Sequence, residues 1–266
     1  MMEIKILEGF LEKTAPKNIA EEWDNVGLLL SGSGDIQKVL ICLDISVAVV
    51  EEAIEKGADM IISHHPLIFK GIKRVTNENP LGSKLISLIK NNISVYAMHT
   101  NFDLAFGGLN DILFDKLLLS KKENLMKENE SGYALGRVGV FSESVTLGEL
   151  VQFIKGQINL KAVKFTGDRN KKINKAAIAT GSCSNYNMFA ECLAKNCDVY
   201  ITSDIKHHEA LDALEMGLCL IDATHYGTEF IMVAELAKRL KNFSNDNDLG
   251  LVVMESEKNQ PIFDYI

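Results

Sequence analysis

The sequence predicts an α/β fold in which most strands are parallel. Five short apolar runs, each bounded by turn residues, have the composition of buried strands. These runs are residues 38–44, 59–63, 93–98, 198–203 and 218–223. Amphipathic patterns lie between most of them, and this alternation is typical of a parallel sheet covered by helices.

Helix signals justify the segments between the strands. The first segment begins with a serine cap and ends at a glycine, the second begins with proline, and the third contains a Thr-x-x-Glu capping box. These segments are residues 46–57, 80–91 and 146–156. A further helix is predicted to begin near Thr224 and to run to Leu240, and the polar residues 241–248 are predicted to form a loop.

An internal similarity predicts two related lobes. The stretches that begin at Lys38 and at Ala177 each run through strand, turn, helix, aspartate and strand. The aspartate stands 21 residues along in both stretches, at Asp59 and at Asp198. The alternative is coincidence, since any two βαβ units share this pattern.

The polar and charged stretch 121–132 is predicted to be a surface connection and the lobe boundary. A solvated helix end is the alternative for this stretch. The predicted lobes are residues 1–127 and 128–266, and the C-terminal helix of the second lobe is expected to contribute to a shared site.

Composition excludes several classes of protein. The formal charge of −8 is spread over many short segments, which disfavours nucleic acid and anionic membranes as partners. Neither a signal peptide nor an apolar run of the ~18 residues that a membrane span needs is found, so we expect a cytoplasmic protein. Five cysteines without a Cys-x-x-Cys pair predict buried, reduced thiols. They are Cys42, Cys183, Cys192, Cys197 and Cys219.

All six histidines of the chain directly follow predicted strands or begin the helices after them. In an open α/β sheet, functional groups gather beyond the carboxyl ends of the strands. A single histidine at such a position is more often a structural residue, but six of six favour a site. The polar residues at these ends are His64 and His65; His99, Asn101 and Asp103; Asp204, His207 and His208; and His225 and Glu229.

This set of side chains predicts two metal ions. Successive side chains of an extended segment point to opposite sides, so His64 and His65 are expected to serve one ion each. His225 and Glu229 are four residues apart and share one face of a helix, and Asp103 adds a second carboxylate. Three imidazoles and two carboxylates suit two ions about 3.5–4 Å apart, which activate water for hydrolysis. Without a thiolate, Zn, Mn, Fe, Co or Ni are admissible.

Five ordered motifs resemble those of the GTP cyclohydrolase 1 type 2 family, also called the NGG-one-interacting-factor-three-like family. They are "AEEWDNVGL" (20–28), "IISHHPLIF" (61–69), "HTNFDLAFGGLND" (99–111), "ITSDIKHHEALDA" (201–213) and "DATHYGTE" (222–229). The resemblance implies two interlinked α/β lobes, a dinuclear metal site at the strand ends between them, and a toroidal homohexamer. It also implies the ligands His64, His65, Asp103, His225 and Glu229. Residues 121–145 leave no room for the domain inserted in longer relatives, so the chain resembles the short form.

The resemblance implies a metal-dependent hydrolase that opens the guanine imidazole ring of GTP by attack of water at C8. His99 and His208 are then the candidates for proton transfer. Two alternatives stay open: a non-enzymatic, hexameric metal-binding scaffold or interaction protein, and a phosphoesterase.

Three further segments contain residues that could contact a ligand. "ATGSCSNYN" departs from the glycine-rich turn of relatives, which argues against a phosphate cradle at Gly181. The basic loop 168–175 is either a triphosphate contact or a solvated loop. Asp24 is either functional or part of a turn before a strand.

Overall fold

The computed structural model describes residues 2–32 and 34–264. Its strands are β1 (Met2–Glu3), β2 (Gly27–Leu30), β3 (Asp35–Ile36), β4 (Lys38–Cys42), β5 (Met60–Ser63), β6 (Ser94–Ala97), β7 (Ser120–Asn124), β8 (Arg137–Thr146), β9 (Lys164–Thr166), β10 (Lys172–Ile178), β11 (Val199–Thr202), β12 (Cys219–Asp222) and β13 (Val252–Glu255). Its helices are α1 (Ile4–Thr14), α2 (Val47–Glu55), α3 (Pro80–Lys90), α4 (Thr100–Leu104), α5 (Leu109–Lys116), α6 (Leu147–Gln157), α7 (Tyr186–Ala194), α8 (His207–Glu215), α9 (His225–Glu229) and α10 (Ile231–Asp246). The predicted α/β class is confirmed.

The chain forms two compact units. The first comprises the described residues of Met1–Phe102 and of Met232–Ile262, and the second comprises those of Asp103–Ile231 together with Phe263 and Asp264. The boundary predicted at residues 127/128 falls inside the second unit. The physical reason is that β7 and β8 pair antiparallel, so the polar stretch between them connects two neighbouring strands of one sheet.

The first unit contains a five-stranded sheet in the order β13-β4-β5-β6-β2. Its first four strands are parallel, and β2 joins the edge antiparallel to β6. Helices α2 and α3 pack against the sheet through Val49 and Leu85, which contact Leu40, Ile61 and their neighbours in one apolar cluster. Helix α2 begins with the predicted serine cap, and α3 begins with the predicted proline, which follows a side-chain cap from Asn79.

The second unit contains a six-stranded sheet in the order β7-β8-β10-β11-β12-β9. Only β10, β11 and β12 are parallel to one another. Successive residues of β10 alternate between two cores: Ile178 packs with α5 and α6, and Ala177 packs with α7 and α8. The five strands predicted from sequence lie in the parallel parts of the two sheets.

The internal similarity has a shared hydrogen-bond pattern. One carboxylate oxygen of Asp59 accepts bonds from the backbone N–H groups of Gln37 and Lys38, each at 2.8 Å. One oxygen of Asp198 accepts the equivalent bonds from Asn174 and Lys175, at 2.8 and 3.0 Å. Lys38 therefore corresponds to Lys175, two residues before the Ala177 that the spacing suggested.

The helix predicted from Thr224 is two helices. Thr224 caps α9 through a bond from the Gly227 N–H to its hydroxyl at 3.0 Å, and α9 ends before α10 begins at Ile231. The loop predicted over 241–248 was wrong, because helix α10 continues to Asp246. Its apolar face extends to Phe243, whose ring stacks on that of Phe10 with centroids 4.4 Å apart.

All five cysteines are free thiols, and four of them are buried. Burial raises the pKa of the Cys42 and Cys192 thiols, so both are protonated at neutral pH. Among the described residues, no helix is both long enough and apolar enough to cross a membrane.

Candidate metal centre

The first unit brings three imidazoles together at one edge of its sheet. His64 and His65 directly follow β5, and His99 stands just before α4, beyond the end of the neighbouring strand β6. One ring nitrogen from each of the three lies within 4.8 Å of the others, a spacing that could hold a metal ion. The parallel strand order thus produces the histidine cluster that the strand-end rule predicts.

Each of these imidazoles is oriented through its Nδ1 atom. The Nδ1 of His64 lies 2.7 Å from the Met98 carbonyl oxygen, that of His65 lies 2.7 Å from an Asp44 carboxylate oxygen, and that of His99 lies 2.8 Å from Asp24. A ring that donates from Nδ1 presents Nε2 as its second nitrogen, which is the usual arrangement of a metal-ligating histidine.

The two adjacent histidines are held from different directions. Met98 follows β6 and Asp44 follows β4, which are the two neighbours of β5 in the sheet. The rings of His64 and His65 are tilted by 53° with centroids 5.1 Å apart. Their Nδ1 atoms thus have different partners, while one ring nitrogen of each belongs to the same three-histidine group.

Asp24 is more than a turn residue. It accepts hydrogen bonds from the Thr100 backbone N–H at 3.0 Å and from the Thr100 hydroxyl, and it bonds His99 as well. Burial raises the pKa of this carboxyl, but the bonds from His99 and Thr100 outweigh burial and lower it to about 2. Asp24 is therefore an anion at neutral pH and stabilises the Nδ1–H form of His99.

The second unit positions the other three candidate ligands. On α9, His225 Nε2 lies 2.9 Å from Oε2 of Glu229, and His225 Nδ1 lies 2.6 Å from Asp204, which follows β11. Asp103 accepts a hydrogen bond from the Thr180 hydroxyl at 2.9 Å. His225 thus has the same carboxylate-bound Nδ1 that His65 and His99 have.

Gly181 makes room for the Glu229 carboxylate. Its backbone has φ +67°, and a Cβ placed on it would lie 2.2 Å from Oε1 of Glu229. The Gly181 N–H donates to the Thr228 hydroxyl at 3.1 Å, which further fixes this turn. The residue therefore serves the carboxylate of its own unit, and sequence reasoning considered it only as a phosphate contact.

Replacing Gly181 with alanine is expected to destabilise the protein by about 1–3 kcal/mol and to reduce its metal content, because the new methyl group displaces Glu229. Denaturant unfolding and elemental analysis measure the two effects. Gly107→Ala is the matched control, since Gly107 has the same φ of +67° with open space around its Cβ position. Equal effects of both substitutions on metal content would contradict this role.

His208 is in none of the candidate ligand groups that the described residues form. His208 lies exposed on α8, its ring 5.3 Å from that of His207. Within residues 2–32 and 34–264, neither histidine belongs to a group of three ligands close enough to share an ion. In the basic loop, Lys171 donates to the Gly217 carbonyl oxygen at 2.9 Å and the Arg169 carbonyl accepts from Gly148, so at least part of it has a structural role.

Sequence reasoning missed the partners of the imidazoles. Asp44 closes the predicted strand 38–44, and Asp204 follows the predicted strand 198–203, but neither has a role in the sequence-based prediction. Both stand at the positions that the strand-end rule selects, and that was the available signal.

Fold and site together define a class: an α/β protein whose strand ends carry groups of histidine, aspartate and glutamate that could bind metal ions. The sequence profile of the Duf34/NIF3 (NGG1p interacting factor 3) family matches residues 2–261. The chain belongs to this family.

Relatives and solved structures agree with this assignment. The chain is 34% identical to a Clostridium acetobutylicum protein, with 97% of each chain covered, and 37% identical to a Lactococcus lactis protein, with 95% and 96% covered. Both are named GTP cyclohydrolase 1 type 2 homolog. A Staphylococcus aureus hypothetical protein of known structure superposes with a TM-score of 0.91 at 33% identity, covering 100% of this chain and 99% of that one.

The chain is a short form of the family. Its match to a Staphylococcus aureus relative covers all of both chains and extends over 371 aligned positions, whereas this chain has 266 residues. The relative therefore contains segments that this chain lacks.

Proposed function

We propose that the protein is a metal-dependent hydrolase in which His64, His65, Asp103, His225 and Glu229 hold two divalent ions. The observation that carries the proposal is the pairing of histidine with aspartate in both units, Asp44 with His65 and Asp204 with His225. Carboxylates bound to the outer nitrogen of a histidine are a recurrent feature of metal sites, because they fix the tautomer and increase the basicity of the ligand.

The donor set fits such ions. Two ligand atoms that are each about 2.1 Å from one ion lie roughly 3 Å apart. His225 Nε2 and Glu229 Oε2 are 2.9 Å apart. Glu229 and His64 are buried, and a buried carboxylate requires a cation or hydrogen-bond donors for compensation. Imidazole and carboxylate ligands without thiolate suit Zn, Mn, Fe, Co or Ni.

Such ions, when bound, supply a water of lowered pKa and polarise the group that it attacks. His99 is the candidate for proton transfer, because Asp24 holds its Nδ1 and leaves Nε2 as the nitrogen that can accept a proton. His208 lacks a comparable partner in the contacts described above. Since relatives are named for GTP cyclohydrolase, we propose GTP as the substrate, opened at C8 of its guanine.

The test is metal analysis followed by incubation with substrates. Purified or reconstituted protein is expected to contain close to two transition-metal ions per chain and to convert GTP to a ring-opened product seen by mass spectrometry. Light scattering of the same sample measures the number of chains in the assembly. We propose a homohexamer located in the cytoplasm. Two ions with turnover only of phosphate monoesters would identify a phosphoesterase, and two ions without any turnover would identify a scaffold. Absence of metal after reconstitution would refute the proposal.

A further inference from the structure

Two exposed aromatic side chains lie beside the imidazole cluster of the first unit. Trp23 is 58% exposed and Phe69 is 46% exposed. Their ring centroids lie 5.9 and 6.1 Å from that of His99 and 5.8 Å from each other. Large apolar rings left open to solvent next to functional groups mark sites where a ligand binds.

Hydrogen bonds made by the two residues that follow Trp23 hold the rings in place. Asp24, the neighbour of Trp23, bonds His99 and Thr100. The Asn25 side-chain N–H donates to the carbonyl oxygen of Ile68, the neighbour of Phe69, at 2.6 Å. The segment Trp23–Asn25 thus fixes both the histidine and the loop that carries Phe69, so the exposure of the rings is built into the fold.

The loop that carries Phe69 is basic. Between β5 and α3 it contains Lys70, Lys73 and Arg74, all exposed. Among the residues that the structure describes, no carboxylate forms an ion pair with any of the three. In a chain with a formal charge of −8, three uncompensated cations in five residues attract an anion to this face.

We infer that Trp23 and Phe69 form a platform that binds the planar heteroaromatic ring of an anionic ligand beside His99. The Trp23 and Phe69 rings are tilted by 56°, so the ligand ring stacks on one of them and contacts the other at an angle. Lys70, Lys73 and Arg74 attract its phosphate groups. This inference rests on the proposed function for the identity of the probe, a purine nucleotide. It adds a ring-binding surface and a phosphate-attracting loop, neither of which is a metal ligand.

The experiment uses the single tryptophan of the chain. Because Trp23 is the only one, intrinsic tryptophan fluorescence reports on the platform alone. Titration of the purified full-length protein with GTP is expected to quench this emission to saturation, with N-acetyltryptophanamide as the control for absorption by the nucleotide. Guanosine is expected to bind more weakly than GTP, and inorganic triphosphate is expected to leave the emission unchanged.

Variants assign the two parts of the surface. Phe69→Leu is expected to raise the dissociation constant for GTP about tenfold, the order of magnitude of one lost ring contact. The control is Phe106→Leu, since Phe106 is 64% exposed and contacts Tyr133. Lys73→Ala with Arg74→Ala is expected to remove the preference for GTP over guanosine, and Lys5→Ala, at an exposed position of α1, is expected to retain it.

Three results would overturn the inference. They are absence of saturable quenching, equal affinities of the Phe69→Leu and Phe106→Leu variants, and an emission that changes with protein concentration but not with nucleotide. The last result would assign the rings to contact between two copies of the chain. Quenching by a protein that binds no metal would refute the proposed function but support the platform. Two bound ions without quenching would support the metal site but refute the platform.

Discussion

Replacing Asp111 with alanine is expected to lower the free energy of unfolding by about 3–5 kcal/mol, because it leaves a buried guanidinium without its counter-ion. Arg137 is 2% exposed, and its Nε donates to Asp111 Oδ1 at 2.7 Å. The other Asp111 oxygen accepts from the Gly107 N–H at 2.6 Å, so a loop also loses its anchor. Denaturant unfolding followed by far-ultraviolet circular dichroism measures the change.

The pH dependence of this effect has a defined sign. Burial raises the pKa of the Asp111 carboxyl, but the hydrogen bond and charge of Arg137 outweigh burial and lower it below its ordinary value of 3.8. The ion pair therefore contributes its full stability above about pH 4 and loses it as pH falls through the folded-state pKa. The difference between wild type and variant is expected to shrink in that acid range.

The matched control is Lys161→Ala, which breaks an ion pair of the same 2.7 Å length with Asp264. Both of its side chains are largely exposed, so no measurable change in stability is expected. A loss as large as that of Asp111→Ala would show that burial does not determine the effect.

Alanine at His64 or at His65 is expected to remove one metal ion and leave the other. Each histidine is proposed to serve its own ion, and their Nδ1 partners lie after different strands. Alanine at Glu229, the proposed bridging ligand, is expected to weaken both sites, because each ion loses a ligand and the repulsion between the cations increases. Elemental analysis of the three variants gives the stoichiometry.

His208→Ala is the control, since this histidine lies exposed on α8, and it is expected to retain both ions. Thermal melts separate binding from folding. A histidine variant that melts earlier yet holds two ions would identify that residue as structural. Two ions retained in both the His64→Ala and His65→Ala proteins would refute the assignment of one ion to each.

The sequence predicts the buried strands better than the sheet edges. β5 (MIIS) and β11 (VYIT) are mostly apolar and wholly buried, because both faces of a parallel strand are covered. β7, with the sequence SKKEN, is mostly exposed and is a strand only because β8 lies beside it. The sequence of β7 alone does not reveal that β8 will pair with it. The pairing of β7 with β8 was not predicted for the same reason, since a polar stretch looks the same in a linker and in a hairpin connection.

The histidines of the site are predictable because topology alone carries strand-end residues to one edge of a sheet. Their partners are not. The bond between Asp24 and His99 joins residues 75 positions apart, and the role of Gly181 depends on the side chain of Glu229. Such contacts require a three-dimensional arrangement that neither spacing nor composition encodes.

The order of strands in the first unit has a consequence for synthesis of the protein. Strand β4 pairs along one edge with β13, and the ribosome makes residues Asp103–Ile231 of the second unit before Val252–Glu255 emerge. The nascent chain therefore carries an incomplete sheet with an open apolar edge during most of translation. Open edges of this kind promote aggregation, so the pairing of β13 with β4 is the step that protects this edge from association with other chains.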